Sequence, residues 1–266
     1  MATQITRQKL IAYNGKMVIL PVWAGGQVGY GKLTHPDPYQ KDTAQLYPNG
    51  TKFIDGDRVF HYAYCDTEDA AAAKANIGMF CSVVASESVT LYAAAYAAGT
   101  TEVVILDAAA TVNQYAGGFY MPRTNPYSCF RILSNTVSDG TNVTLTLERG
   151  TLSATTASQG SNKVIGNKYS KIGCSWAAGR DDVSWLGITL VDVTASRWQW
   201  IQTWGPCAVV PYNEEIGASA GARQAVFHID GTARLYVANY QIMGYGIPHS
   251  GTTATWWINL QVDPGL

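Results

Sequence analysis

Four histidines, five cysteines and nineteen acidic residues are the side chains of this 266-residue chain most able to carry metal, nucleophilic or acid–base chemistry. A metal site needs three or four converging ligands, commonly at close spacing on one element. His35, His61, His228 and His249 are scattered, and no two stand at i, i+2 or i, i+4. Cys65, Cys81, Cys129, Cys174 and Cys207 are odd in number and form no C-x-x-C pair. Neither a zinc site nor a disulfide framework is expected from them, and they read as small buried apolar thiols. Asp181-Asp182 and Glu214-Glu215 are neighbours whose side chains point apart on a strand, whereas glycosidase carboxylates face each other across about 5–10 Å. Asp55, Asp57 and Glu68 depart from the spacing of a calcium loop. Gly25, Gly26, Gly29 and Gly31 are followed by no helix signal, so they make no dinucleotide cradle. Zincin and P-loop patterns are absent and no nucleophile elbow is expected. The expectation is a non-enzymatic protein without catalytic residues, cofactor or metal.

The aromatic residues offer binding rather than reaction. The chain has 8 Trp and 16 Tyr against 6 Phe. Amphipathic rings are favoured where one end is apolar and the other wet, which describes cores, subunit interfaces and sugar platforms. Trp198, Trp200, Trp204, Trp256 and Trp257 are the candidates. Trp198 and Trp200 share one face of a strand, with Gln199 and Ile201 opposite.

The elements that would position these side chains read as strands. Asn14-Gly15, Asn49-Gly50, Asp55-Gly56, Asp139-Gly140 and Asp230-Gly231 are tight-turn dipeptides. Between such turns lie short runs of period two, such as Val143, Leu145 and Leu147, or Ile258 and Leu260. Met17 to Val22, Val103 to Leu106, Ile188 to Val193 and Leu235 to Val237 are further strand candidates, rich in β-branched residues. The fold class expected is all-β, made of β-barrel or β-sandwich modules with an extended N-terminal arm and at most one or two short helices. One short helix is expected over Glu68 to Met79, capped by Thr67 and ended by Gly78. Three parts follow: residues 1–80 as the arm with that helix, residues 81–150 as a β module, and residues 151–266 as a Trp-rich β module.

Composition narrows the function class. Hydrophobic residues make up 47% and charged residues only 14%, with a net charge of −1. There is no basic excess for nucleic acid, and no apolar run long enough for a membrane span. The first ten residues lack the apolar centre of a secretory signal, so folding in a cytoplasm is expected. A surface with few ions tolerates close contact with other chains, because little charge must be desolvated.

Three blocks carry a resemblance. They are Gln45–Lys52 with Asp55–Ala63, Asn113–Phe119 with Tyr127–Asn135, and Trp200–Val210. Together they resemble virion structural proteins of tailed bacteriophages. The third block, with Leu186–Leu190 before it, is similar to small β-barrel capsid decoration proteins. The resemblance implies a capsid decoration or cement protein, folded in the host cytoplasm and carried on the outer capsid surface of the virion. Its implied partners are the major capsid protein and further copies of itself, a homotrimer being favoured, with no nucleic acid and no membrane. Candidate interface residues are Tyr47, Phe60, Tyr62, Trp198, Trp200 and Trp204. The alternative is a head-fibre or tail host-recognition module that binds surface glycans through exposed aromatic residues. A virion glycan hydrolase ranks last, for want of a facing carboxylate pair.

Overall fold

Turn-rich sequence of period two folds into strands throughout. A computed structural model describes residues 10–13, 16–21, 23, 36–67, 74–81, 87–89, 95–122, 128–151, 155–156, 162–174, 184–212, 223–247 and 256–263. Among these residues there is no α-helix and there are twenty-one strands. In chain order the first six are β1 (Leu10–Tyr13), β2 (Lys16–Ile19), β3 (Lys41–Asp42), β4 (Lys52–Asp55), β5 (Arg58–Thr67) and β6 (Gly78–Cys81). Then come β7 (Glu87–Val89), β8 (Ala95–Tyr96), β9 (Glu102–Leu106), β10 (Phe119–Met121), β11 (Phe130–Asn135), β12 (Asn142–Leu147), β13 (Thr155–Thr156) and β14 (Asn162–Ile165). The last seven are β15 (Ile172–Gly173), β16 (Trp185–Thr189), β17 (Arg197–Val209), β18 (Gln224–Phe227), β19 (Ala233–Leu235), β20 (Ile242–Gly246) and β21 (Trp256–Gln261).

The chain forms two units. One, the ring unit, takes Leu10–Leu20, Tyr30–Ser82 and Lys171–Leu266; the other, the inserted unit, takes Met1–Lys9, Pro21–Gly29 and Val83–Ser170. This division cuts across the three parts expected from the sequence. Residues 36–67 carry β3, β4 and β5 and the buried rings Tyr47, Phe53, Phe60 and Tyr62, so this stretch is core and not arm. Likewise β14 pairs with β10 and β7, which extends the middle module to Ser170.

The ring unit is built on a closed circuit. Strands β5, β15, β6, β16 and β17 are neighbours in that order, and β17 pairs back onto β5. The β5–β15 pairing is parallel and the rest antiparallel. Full closure removes exposed edges along the circuit. Outside it, Trp200 is surrounded by Tyr47, Phe53 and Tyr62 at centroid distances of 5.1, 5.6 and 5.0 Å. A second outer layer packs Trp185 flat on Phe227 (5.3 Å), with Ile188, Met243, Ile258 and Leu260 around them. By alternation, His61, Ala63 and Cys65 of β5 and Gln199, Ile201 and Thr203 of β17 point to the inside.

The expected helix over Glu68 to Met79 is corrected over its described part. Residues 68–73 lie outside the described residues. Thr67 is the last residue of β5, Ala75 and Asn76 form a turn, and Gly78 opens β6. Asn76 takes a left-handed φ of 64°, and Gly78 lies under two rings. A Cβ there would stand 2.8 Å from Trp185 and 2.9 Å from Phe227. Tertiary packing around Gly78 makes this end of the expected helix a turn and a strand.

Gln199 is fully buried in the circuit, and neither its amide oxygen nor its amide nitrogen has a hydrogen-bond partner among the described residues. A buried orphan polar group costs about 1–3 kcal/mol. Gln199→Met is therefore expected to raise the urea midpoint of the ring unit, by roughly 1 kcal/mol of stability. A methionine variant less stable than the parent would count against this account.

The inserted unit is simpler. Its six-stranded sheet runs β7-β14-β10-β11-β12-β9, with a separate β8–β13 pair. Val143, Leu145 and Leu147 are buried on one face of β12, as their spacing predicts, and they pack with Val103, Ile105, Phe130 and Ile132. The Tyr96 hydroxyl accepts the Val104 N–H (2.9 Å) and donates to its carbonyl (3.3 Å), covering part of the edge strand β9. Buried Asn135 accepts the Tyr115 N–H (2.8 Å) and donates to the carbonyls of Thr111 and Thr136, pinning the turns over 111–118 to β11.

Candidate functional site

Of the six expected interface residues, four are core. Tyr47, Phe60, Tyr62 and Trp200 are each no more than 1% exposed. They form or adjoin the ring cluster around Trp200. Trp198 is half-buried against Tyr64, at 4.7 Å between centroids. Trp204 alone of the six sits half-buried on an open sheet face. The Trp198/Trp200 alternation is real, but it marks a strand covered on both sides, because the circuit closes on one side and rings pack on the other.

The other candidates disperse. His61 Nδ1 lies 3.2 Å from the Thr203 hydroxyl inside the circuit. His228 Nδ1 lies 2.8 Å from Asp230, whose carboxylate also accepts the N–H and hydroxyl of Thr232, while Tyr212 stacks on the imidazole at 3.8 Å. These bonds shape the turn between β18 and β19. His35, His249, Asp181, Asp182, Glu214 and Glu215 lie outside the described residues. Among the described residues no three His, Cys, Asp or Glu side chains converge as metal ligands. Cys65, Cys174 and Cys207 are buried, and burial pushes the Cys207 thiol up to about 12. Contrary to the expectation of no nucleophile elbow, Gly217-Ala218-Ser219-Ala220-Gly221 has the G-x-S-x-G spacing. It also lies outside the described residues.

Two surface features of the ring unit remain. The first is the outer face of β17, β21 and β20. Register pairs Trp204 with Gln261, Pro206 with Asn259 and Ala208 with Trp257, and Tyr245 of β20 stands opposite Asn259. The alternate residues Cys207, Val209, Ile258 and Leu260 are buried beneath. Trp257 is 53% and Tyr245 46% exposed, unusual for rings of this size. Asn259 Nδ2 donates to the Tyr245 hydroxyl at 2.8 Å, which fixes that ring against the sheet. None of these outward residues carries a formal charge. Trp257 was legible from the β21 alternation; Tyr245 was hidden because glycines flank it.

The second feature is a cavity of about 660 Å³ beside the Trp200 cluster. Four segments line it. They supply Lys16 from β2, Asp37, Tyr39 and Asp42 from the loop and β3, Asp55 and Arg58 from the β4–β5 hairpin, and Trp200 from β17. Arg58 donates to Asp55 (3.0 Å) and to the Tyr39 hydroxyl (3.1 Å), and Lys16 lies 3.3 Å from Asp55. Asp37 accepts the Tyr39 N–H at 2.9 Å. The Tyr62 hydroxyl donates to Asp42 at 2.6 Å and accepts the Leu46 N–H at 3.3 Å. Burial lifts the Asp42 carboxyl above the usual carboxylate range; the Tyr62 bond offsets part of that rise and the charge of Asp37 adds to it. Burial first, and Asp42 second, hold the Tyr62 hydroxyl above the usual tyrosine range.

No protein-family model, no curated protein and no solved structure matches the chain.

Proposed function

We propose that this protein is a non-enzymatic structural protein of a phage virion, a capsid decoration or cement protein that docks through the outer face of β17, β21 and β20. That face is the observation that supports the reading. It is uncharged and carries two half-exposed rings held on a rigid sheet, the composition of the centre of a protein interface. Covering Trp257 and Tyr245 removes on the order of 100 Å² of each ring from water, about 2 kcal/mol apiece. Symmetric repetition over a shell multiplies a modest contact. The partners are the major capsid protein and sister copies, with a trimer favoured, on the outer surface of the head. The resemblance of the Gln45–Ala63 and Trp200–Val210 blocks to virion proteins points the same way, as does the low charge of the chain.

Purified protein mixed with undecorated heads, with its mass in solution measured beforehand, tests the reading. Saturable binding is expected. The double variant Trp257→Ser, Tyr245→Ser should bind roughly a thousandfold more weakly, the two rings together contributing about 4 kcal/mol. A double variant that decorates heads at parental occupancy would remove this face from the docking surface.

A further inference from the structure

We propose that the cavity beside Asp42 binds a neutral saccharide, a site separate from the docking face. The two features differ in shape and chemistry. The docking face is a flat stretch of sheet without charge, whereas the cavity is concave, polar and within the size range of small-ligand pockets. A pyranose offers hydroxyls that both donate and accept, together with an apolar C–H face. The cavity answers each of these. Asp42 and Asp37 present carboxylate oxygens as acceptors, Arg58 and Lys16 present donors, and Pro36, Pro38 and the 60% exposed Tyr39 ring add apolar surface to the lining.

Charge selects among sugars. Lys16 and Arg58 are both held by Asp55, which leaves Asp37 and Asp42 without a cation among the described residues. Three carboxylates against two cations give the lining an excess of one negative charge. Sialylated, phosphorylated or uronic-acid glycans are therefore disfavoured, and neutral or N-acetylated sugars fit. Asp42 carries a further sign of use. It is partly withdrawn from water, and its hydrogen bond among the described residues comes from Tyr62 alone. An ionised group held this way is a stability liability that hydroxyl donors from a ligand would relieve, and such liabilities collect at binding sites.

The test is a printed array of neutral, N-acetylated and anionic bacterial oligosaccharides, followed by calorimetric titration of the strongest neutral binder. The array carries both free-chain oligosaccharides and intact cell-envelope polysaccharide, so the source of the sugar is read from the same experiment. A dissociation constant of roughly millimolar or tighter is expected. Asp42→Asn and Tyr39→Ala should each weaken it at least about tenfold. Asp42→Asn keeps an acceptor for Tyr62 and should melt no lower than the parent, which separates lost binding from lost fold. The Trp257→Ser, Tyr245→Ser variant should bind the sugar as the parent does. The proposal is overturned by no neutral saccharide bound at about 10 mM, by binding that survives both cavity variants, or by binding lost in the docking-face variant. Cleavage of the oligosaccharide, abolished in Asp42→Asn, would replace a binding role by hydrolysis and overturn it too. Head decoration is read in a different assay, so failure here leaves the cement reading standing and failure there leaves this one.

Discussion

Replacing Trp200 by alanine is expected to cost the ring unit about 3–5 kcal/mol, the range for removing a large aromatic from a close-packed core. The ring is 1% exposed and touches three other aromatic rings that come from β5, β4 and the segment before β4. Those neighbours are held by backbone pairing on two strands and cannot collapse into the space left. Trp198→Ala is the control. It lies two residues away on the same strand, is half-buried and meets one ring, Tyr64, so about 1 kcal/mol is expected. Urea unfolding followed by near-ultraviolet circular dichroism separates the two. Equal losses at the two positions would mean that the Trp200 cluster does not anchor this unit.

Gly205→Ala is the second large loss. Gly205 has a φ of +87°, and a Cβ there would stand 2.3 Å from the Asp57 carbonyl oxygen. The left-handed conformation costs an L-residue about 1–3 kcal/mol. The obstructing atom is backbone and cannot swing away, so a total of at least about 3 kcal/mol is expected. The site sits beside the register shift between Gln202 and Trp204. Gln202 Nε2 clasps this bulge, lying 3.0, 3.2 and 2.9 Å from the carbonyls of Trp204, Gly205 and Pro206. Gly56 isolates the steric part. It too has a positive φ, +63°, but nothing lies within 4 Å of its Cβ position, so Gly56→Ala should cost only about 1 kcal/mol. The prediction fails if the two alanine variants unfold at the same denaturant concentration.

Some of this architecture is written in local pattern. Val143, Leu145 and Leu147, like Ile258 and Leu260, alternate because one face of each strand is buried, and period two reports that directly. The all-β class follows from many such runs between turn dipeptides. What stays hidden depends on distant partners. Trp200 looks the same in sequence whether it lies in a core or at an interface; only the closure of β17 onto β5 decides, and those strands are far apart in the chain. The stretch over 74–79 lost its helix because Gly78 must fit beneath Trp185 and Phe227, more than a hundred residues later. The cavity was unreadable for the same reason. Lys16, Asp42, Arg58 and Trp200 are ordinary surface or strand residues until four segments converge. The outer face of β21 was half legible, since an inward Ile258 and Leu260 imply an outward Trp257 and Asn259.

The interruption of the ring unit's chain by residues 83–170 sets an order of events during synthesis. His61 must wait for Thr203, 142 residues later, which at roughly 5–20 residues per second is about 7–30 s. Throughout that time β5 offers an unpaired edge and the rings Phe60 and Tyr62 lack their cover. The stretch Val83–Ser170, by contrast, is complete well before β17 leaves the ribosome. Its own ends meet, for Glu87 pairs with Val164, and the points it departs from and returns to are also paired, Cys81 with Ile172. Once β7 has paired with β14, the separation along the chain that the Cys81–Ile172 pairing must close shortens from the whole of residues 82–171 to the two short segments flanking that pair. Closing about 12 residues instead of about 90 lowers the entropic cost of that pairing by about 2 kcal/mol. The insertion thus acts as a clasp that draws the later strands of the circuit to the earlier ones.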